Sequence, residues 1–94
     1  MSIDPLSPIE EQLQGERAAA LGEAGRRLEA ALSDLARGET EERLDEAGTA
    51  AWHYMIVRES LGMYDHEAAF KIYEVPSRVL ARVGVMRPGR PTGR

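Results

Sequence analysis

The sequence predicts an all-α fold, a long antiparallel helical hairpin capped by two short helices. Apolar residues recur at helical spacing across the first third of the chain, and residues typical of helix starts and stops divide it into four segments. The segment WHYMIV has a strand-like composition, but no partner strand is visible. With 94 residues the chain is one domain at most. We expect residues 7–86 to form it, between flexible ends at residues 1–6 and 87–94.

The first predicted helix covers residues 8–37. Ser7 is its N-cap, Pro8 suits the first helical position, and Gly38 is a C-terminal stop. Leucines at seven-residue intervals form an amphipathic stripe along it. Each glycine in the range Gly22–Gly25 lowers helix propensity by about 1 kcal/mol relative to Ala, so a bend or break there stays open.

The second predicted helix begins after Thr40, its N-cap, and contains most of the aromatic and Met residues. The short connection GET makes it antiparallel to the first helix. We expect its bulky residues to form the core rather than a ligand pocket, in a cluster of Trp52, Met55, Ile56 and Phe70. Glu59 interrupts this apolar surface. It lies at the rim, or it is buried beside Arg58 of a second subunit, Lys71 or Arg78.

Two short helices are predicted to close the end of the hairpin. Asp65 caps the third helix, Pro76 starts the fourth, and Gly84 ends it. We expect these helices to pack against the second helix, around Trp52 and Tyr64. The residues predicted to face inward are Phe70, Ile72, Tyr73, Val79 and Leu80.

No residue pattern indicates catalysis, a cofactor or a metal. The chain has no Cys, Ser60 lacks a nucleophile elbow, and the two His do not have metal-ligand spacing. We therefore expect no enzyme activity, a hydrogen-bonded, half-buried His53 and a surface His66 beside a helix cap. No apolar run reaches about 18 residues, and no signal peptide is visible, so we expect a cytoplasmic protein that does not span a membrane.

Residues 68–83, AAFKIYEVPSRVLARV, resemble the helix-turn-helix of bacterial DNA-binding proteins, in which the pattern AAxxYGVPxxTLxR is common. The resemblance implies that Arg78 and Arg82 lie on the outward face of a recognition helix as nucleic-acid contacts. Glu74 stands where the motif has Gly, and Phe70 where it has a small residue. Residues 1–64 hold 6 Arg against 13 Asp or Glu, a charge of −7 that opposes a polyanion.

The chain as a whole resembles small, uncharacterised bacterial helical proteins, a likeness that implies no activity. A helix of residues 8–37 is about 45 Å long, which exceeds the diameter of a globule of this size. We therefore expect a homodimer, with an interface drawn from Leu13, Leu21, Leu28 and Leu35. The predicted function is a structural or protein-interaction module, in which Arg78 and Arg82 are solvated or pair with acids of the hairpin such as Glu59. The alternative is a DNA-binding or transcription-associated protein.

Overall fold

The computed structural model describes residues 7–86, and it confirms the all-α fold. Four helices follow one another: α1 (Pro8–Arg37), α2 (Glu41–Ser60), α3 (His66–Ile72) and α4 (Ser77–Met86). No strand occurs within these residues. The predicted flexible ends, 1–6 and 87–94, lie outside the described part of the chain. Helices α1 and α2 form the hairpin, and α4 packs on α2.

Local side chains set the ends of the helices. Ser7 Oγ accepts the backbone N–H of Glu10 at 3.1 Å, and the Glu10 carboxylate accepts the backbone N–H of Ser7 at 3.0 Å. This capping box starts α1, which then runs unbroken through Gly22–Gly25. Thr40 caps α2 by accepting the backbone N–H of Arg43. Gly62, at φ +80°, turns the chain after α2 in a backbone conformation that favours glycine.

The core lies between α1, α2 and the two short helices. Small residues of α2 let α1 approach closely, and the buried α2 positions include Ala47, Gly48, Ala50 and Ala51. Leu28 of α1 and Val79 of α4 are the largest fully buried side chains. Met55 and Phe70 of the predicted core cluster are buried, and Trp52 is partly buried against them. Three of the four predicted cluster residues therefore belong to the core or pack against it.

Four expectations from the sequence are corrected. Ile56 is 39% exposed, because α4 covers the side of α2 that carries Met55 and no described helix covers the side that carries Ile56. Ile72 is 79% exposed and Tyr64 is also exposed, because the two-turn α3 packs only through its buried Ala and Phe. Gly84 lies inside α4 rather than at its end, since one glycine costs a helix only about 1 kcal/mol.

Helix α1 extends beyond the rest of the hairpin. Gly25 lies against Tyr54, so Ser60, the last residue of α2, is level with Ala19. Every residue from Ser7 to Ala20 is exposed, and we call this segment the N-terminal arm. The radius of gyration is 16.2 Å, against about 12 Å for a compact domain of this length. The shape of the molecule is therefore elongated by α1.

Candidate functional site

The N-terminal arm carries an apolar stripe that no residue between 7 and 86 covers. Ile9 is 70% exposed and Leu13 is 45% exposed. Leu13 precedes the buried Ala31 by five helical turns, so both side chains point the same way from α1. The stripe that packs on α2 in the second half of α1 therefore continues, unpartnered by any described helix, into the first half.

The four leucines predicted at a dimer interface fall into two groups. Leu28 and Leu35 are buried in the core of the protomer, because α2 covers that half of α1. They offer no surface to a second copy, and their assignment to an interface is corrected. Leu21 is partly buried at the edge of the core, and Leu13 lies in the arm. For these two residues the interface stays a prediction.

The two arginines of the helix-turn-helix resemblance pair with acids in the hairpin connection and in the first turns of α2. Arg78 Nε donates to Glu39 Oε1 at 2.7 Å. Arg82 donates to Glu41 Oε1 at 2.6 Å and also to Asp45. The hydrogen bond to Glu41 raises the pKa of Arg82 further above its ordinary value. The prediction of pairing with hairpin acids is confirmed, although Glu59 is not the partner.

The turn between α3 and α4 has a backbone feature of the helix-turn-helix. Glu74 has φ +55°, which is the left-handed region that suits the Gly of the motif. A non-glycine residue there costs about 1–2 kcal/mol. Phe70 is buried below this turn, and its carbonyl accepts the backbone N–H of Val75 at 3.0 Å. The turn resembles the motif, while the outward arginines are held by carboxylates.

A polar cluster joins the end of α2 to α3. The Nε2 of His66 lies 2.9 Å from Oε2 of Glu59. Arg58 Nε donates to Nδ1 of His66 at 3.4 Å, and Arg58 Nη2 donates to the carbonyl of Asp65 at 2.8 Å. Since Nδ1 accepts from Arg58, the proton of the neutral imidazole is on Nε2 and is donated to Glu59. The cluster fixes the turn that leads into α3.

The structure changes the expectations for His66, Glu59 and His53. His66 is half-buried and bonded, rather than a surface residue, because α3 folds back onto the last turn of α2. Glu59 is also half-buried, and one of its partners is His66. The sequence analysis considered Arg58 only as a partner for Glu59 from a second subunit, and the structure shows it buried within its own chain. His53 was expected to be hydrogen-bonded, but its buried Nδ1 has no hydrogen-bond partner within the described chain.

A crevice of about 390 Å³ opens beside Arg58. Its walls are Glu29, Tyr54, Arg58, Ala68, Ala69, Ile72 and Tyr73. The rings of Tyr54 and Tyr73 meet edge to face, with centroids 5.2 Å apart. Burial raises the pKa of Tyr73, and a hydrogen bond to Tyr54 and the charge of Glu29 act in the same direction. The Tyr73 hydroxyl therefore stays protonated well above neutral pH.

A larger, more apolar groove of about 670 Å³ lies between α3 and α4. Its floor includes the core residues Met55, Phe70 and Val83, and its rim carries Glu67 and Lys71. The predicted core cluster thus lines a groove through two of its members. The charged residues that line this groove are Glu67, Lys71 and Glu74.

Between residues 7 and 86, no three His, Asp or Glu side chains come together to hold a metal ion, and no helix is long and apolar enough to cross a membrane.

Comparisons with known proteins give one positive result. No curated protein and no solved structure matches the chain. A family model matches residues 5–91, which is nearly the whole chain, and that family has no assigned function.

Proposed function

The chain belongs to DUF6665, a family of unknown function, and we propose that it is a non-catalytic protein-interaction module that forms a homodimer through the N-terminal arm. One observation carries the proposal. The arm, Ser7–Ala20, is exposed throughout, yet Ile9 and Leu13 continue the stripe that elsewhere forms the core. Helical apolar stripes of this kind are stabilised by packing against another helix.

A second copy of the arm matches this stripe in length. Leu13 lies at the middle of the arm, so two arms that cross antiparallel at Leu13 overlap along their whole exposed length of about 20 Å. Each arm then covers the other, and the end of each α2 marks the end of the contact. The same patch on both copies meets itself, which is the requirement of a two-fold interface.

The charges of the arm support the same arrangement. Glu10 and Arg17 are seven residues apart, so they lie on the same side of the stripe, on opposite sides of Leu13 along the axis. An antiparallel two-fold pairing places Glu10 of one copy beside Arg17 of the second copy, and the reverse pair forms by symmetry. One carboxylate oxygen of Glu10 caps α1 at Ser7, which leaves the other for this pair.

The self-association of the full chain tests the proposal. Two partly exposed apolar side chains per arm make a small interface, so sedimentation equilibrium is measured at roughly 10–500 μM, where such weak interfaces assemble. We expect a concentration-dependent mass that approaches twice the 10.4 kDa of the chain. A mass that stays at that of the monomer over the whole range contradicts the proposal.

Matched variants identify the surface. Leu13→Glu places a charge in the stripe and abolishes the dimer, whereas Ala18→Glu, about 140° around the same helix, leaves it intact. Arg17→Glu weakens the dimer, because it sets two carboxylates opposite each other, and Arg26→Glu on the far side of α1 does not. Circular dichroism shows whether each variant remains folded. Equal effects of Leu13→Glu and Ala18→Glu would place the interface elsewhere.

The DNA-binding alternative is favoured by the backbone of Glu74 and opposed by the electrostatics. Both arginines that would contact phosphate or guanine hold carboxylates of the same chain. A nucleic-acid complex would need to break these pairs and bring a polyanion next to Glu39 and Glu41. The interaction module needs no such exchange, which is why we prefer it.

A further inference from the structure

Arg58 is a buried cation whose partners are all neutral. Its side chain is 9% exposed, and it contacts the imidazole of His66, the carbonyl of Asp65 and the face of Tyr54. Among the residues that the structure describes, no carboxylate forms an ion pair with it. The negative end of the α2 dipole offsets about half a charge. Buried charges in proteins are usually paired, so this guanidinium has unused capacity for an anion.

Arg58 lines the crevice and has more N–H groups than its two hydrogen bonds use. A guanidinium has five N–H groups, of which the structure uses one on Nε and one on Nη2. The crevice of about 390 Å³ has Arg58 in its wall, together with the side chains of Tyr54 and Tyr73. The raised pKa keeps the hydroxyl of Tyr73 as a hydrogen-bond donor. These groups suit the planar, two-oxygen face of a carboxylate or the oxygens of a phosphate.

Glu29 in the wall restricts the kind of ligand that the crevice can bind. Glu29, from α1, is an exposed carboxylate that lines the same crevice, and its charge repels a simple anion. A ligand that carries a cationic group at its other end replaces this repulsion with an attraction. The apolar part of the wall, which includes Ala69 and Ile72, fits a short hydrocarbon spacer between the two charged groups.

We propose that the crevice between α2, α3 and the Glu29 side of α1 binds a small zwitterion, with its carboxylate or phosphate on Arg58 and its ammonium near Glu29. None of the crevice residues belongs to the N-terminal arm, so a failure of the dimer proposal would leave this proposal intact. No reaction is part of the proposal, because the crevice contains no described nucleophile beside a base. Its chemistry is recognition.

Nuclear magnetic resonance on the full chain, with 4-aminobutyrate and inorganic phosphate as probes, tests the site. The Nε–H signal of Arg58 is identified by its loss in Arg58→Lys. We expect this signal to shift saturably with each probe, and 4-aminobutyrate to bind more tightly than acetate, which lacks the ammonium. An Arg58 signal that does not move with any probe up to about 50 mM overturns the proposal, since ion-paired ligands of this size bind in the millimolar range or better.

The variant Glu29→Gln separates the two halves of the proposal. Removal of this carboxylate tightens phosphate binding by roughly two- to fivefold and weakens 4-aminobutyrate binding by a similar factor, as expected for one charge several ångströms away in partly solvated surroundings. Glu23→Gln makes the same charge change on the exposed part of α1 and is the control. If both variants act alike, Glu29 does not face the ligand and the zwitterion assignment fails.

Discussion

Replacement of Gly25 by Ala destabilises the protein, although Ala is the better helix former. Gly25 is buried in the middle of α1, where a Cβ atom would lie 2.5 Å from the hydroxyl oxygen of Tyr73 and 3.6 Å from Cε1 of Tyr54. A carbon–oxygen contact is normally about 3.3 Å or longer, so the tyrosine must move by nearly 1 Å. Its ring is packed edge to face against Tyr54, which opposes that movement.

The magnitude follows from two opposed effects. Overpacking of a well-filled site costs about 1–3 kcal/mol, and the disturbed edge-to-face contact between Tyr73 and Tyr54 adds about 1 kcal/mol. The gain in helix propensity returns about 1 kcal/mol. We therefore expect Gly25→Ala to lower the free energy of unfolding by about 1–3 kcal/mol. Gly15→Ala is the matched control, because nothing lies within 4 Å of its Cβ, and it stabilises α1 by up to about 1 kcal/mol.

Urea unfolding followed by circular dichroism measures both variants, at a protein concentration where the chain is monomeric. The double variant Gly25→Ala, Tyr73→Phe removes the hydroxyl that the new methyl group meets. In the Tyr73→Phe background, Gly25→Ala should therefore cost much less than in the wild type, which gives a measurable coupling energy. Stabilisation of the wild type by Gly25→Ala, equal to that of Gly15→Ala, would refute the close approach of α1 to Tyr73.

Two further predictions concern the aromatic residues. Trp52→Ala should lower the free energy of unfolding by about 2–3 kcal/mol in the same urea assay, below the cost of a fully buried Trp, because Trp52 is only partly buried; no loss would show that it is outside the core. Since the pKa of Tyr73 is raised in the folded state, stability is fully present below the unfolded pKa of about 10 and is lost as pH rises through the folded pKa. Alkaline unfolding of Tyr73→Phe should show a shallower loss, and an unchanged pH profile would contradict this reasoning.

The sequence by itself determined the helices and most of their ends. Ser7, Thr40 and Asp65 were predicted as N-caps, and each accepts a backbone N–H in the structure. These caps can be predicted from the sequence because capping joins residues three positions apart and does not depend on the rest of the fold. The sequence did not predict whether α1 continues through its glycines. This continuity depends on packing, since Gly25 is where the tyrosines of the other helices approach.

Only the tertiary structure decided which of the leucines at the same helical spacing are buried, and which charged side chains form pairs. Leu13 and Leu28 belong to one stripe with one spacing, yet Leu28 is buried and Leu13 is not, because α2 ends level with Ala19. Arg82 meets Glu41 across 41 positions of sequence, and Arg58 reaches His66 only through the turn after α2. A helical period fixes the direction of a side chain about its own axis. What lies in that direction depends on the lengths and crossing angles of the other helices. A local sequence pattern contains no information about these.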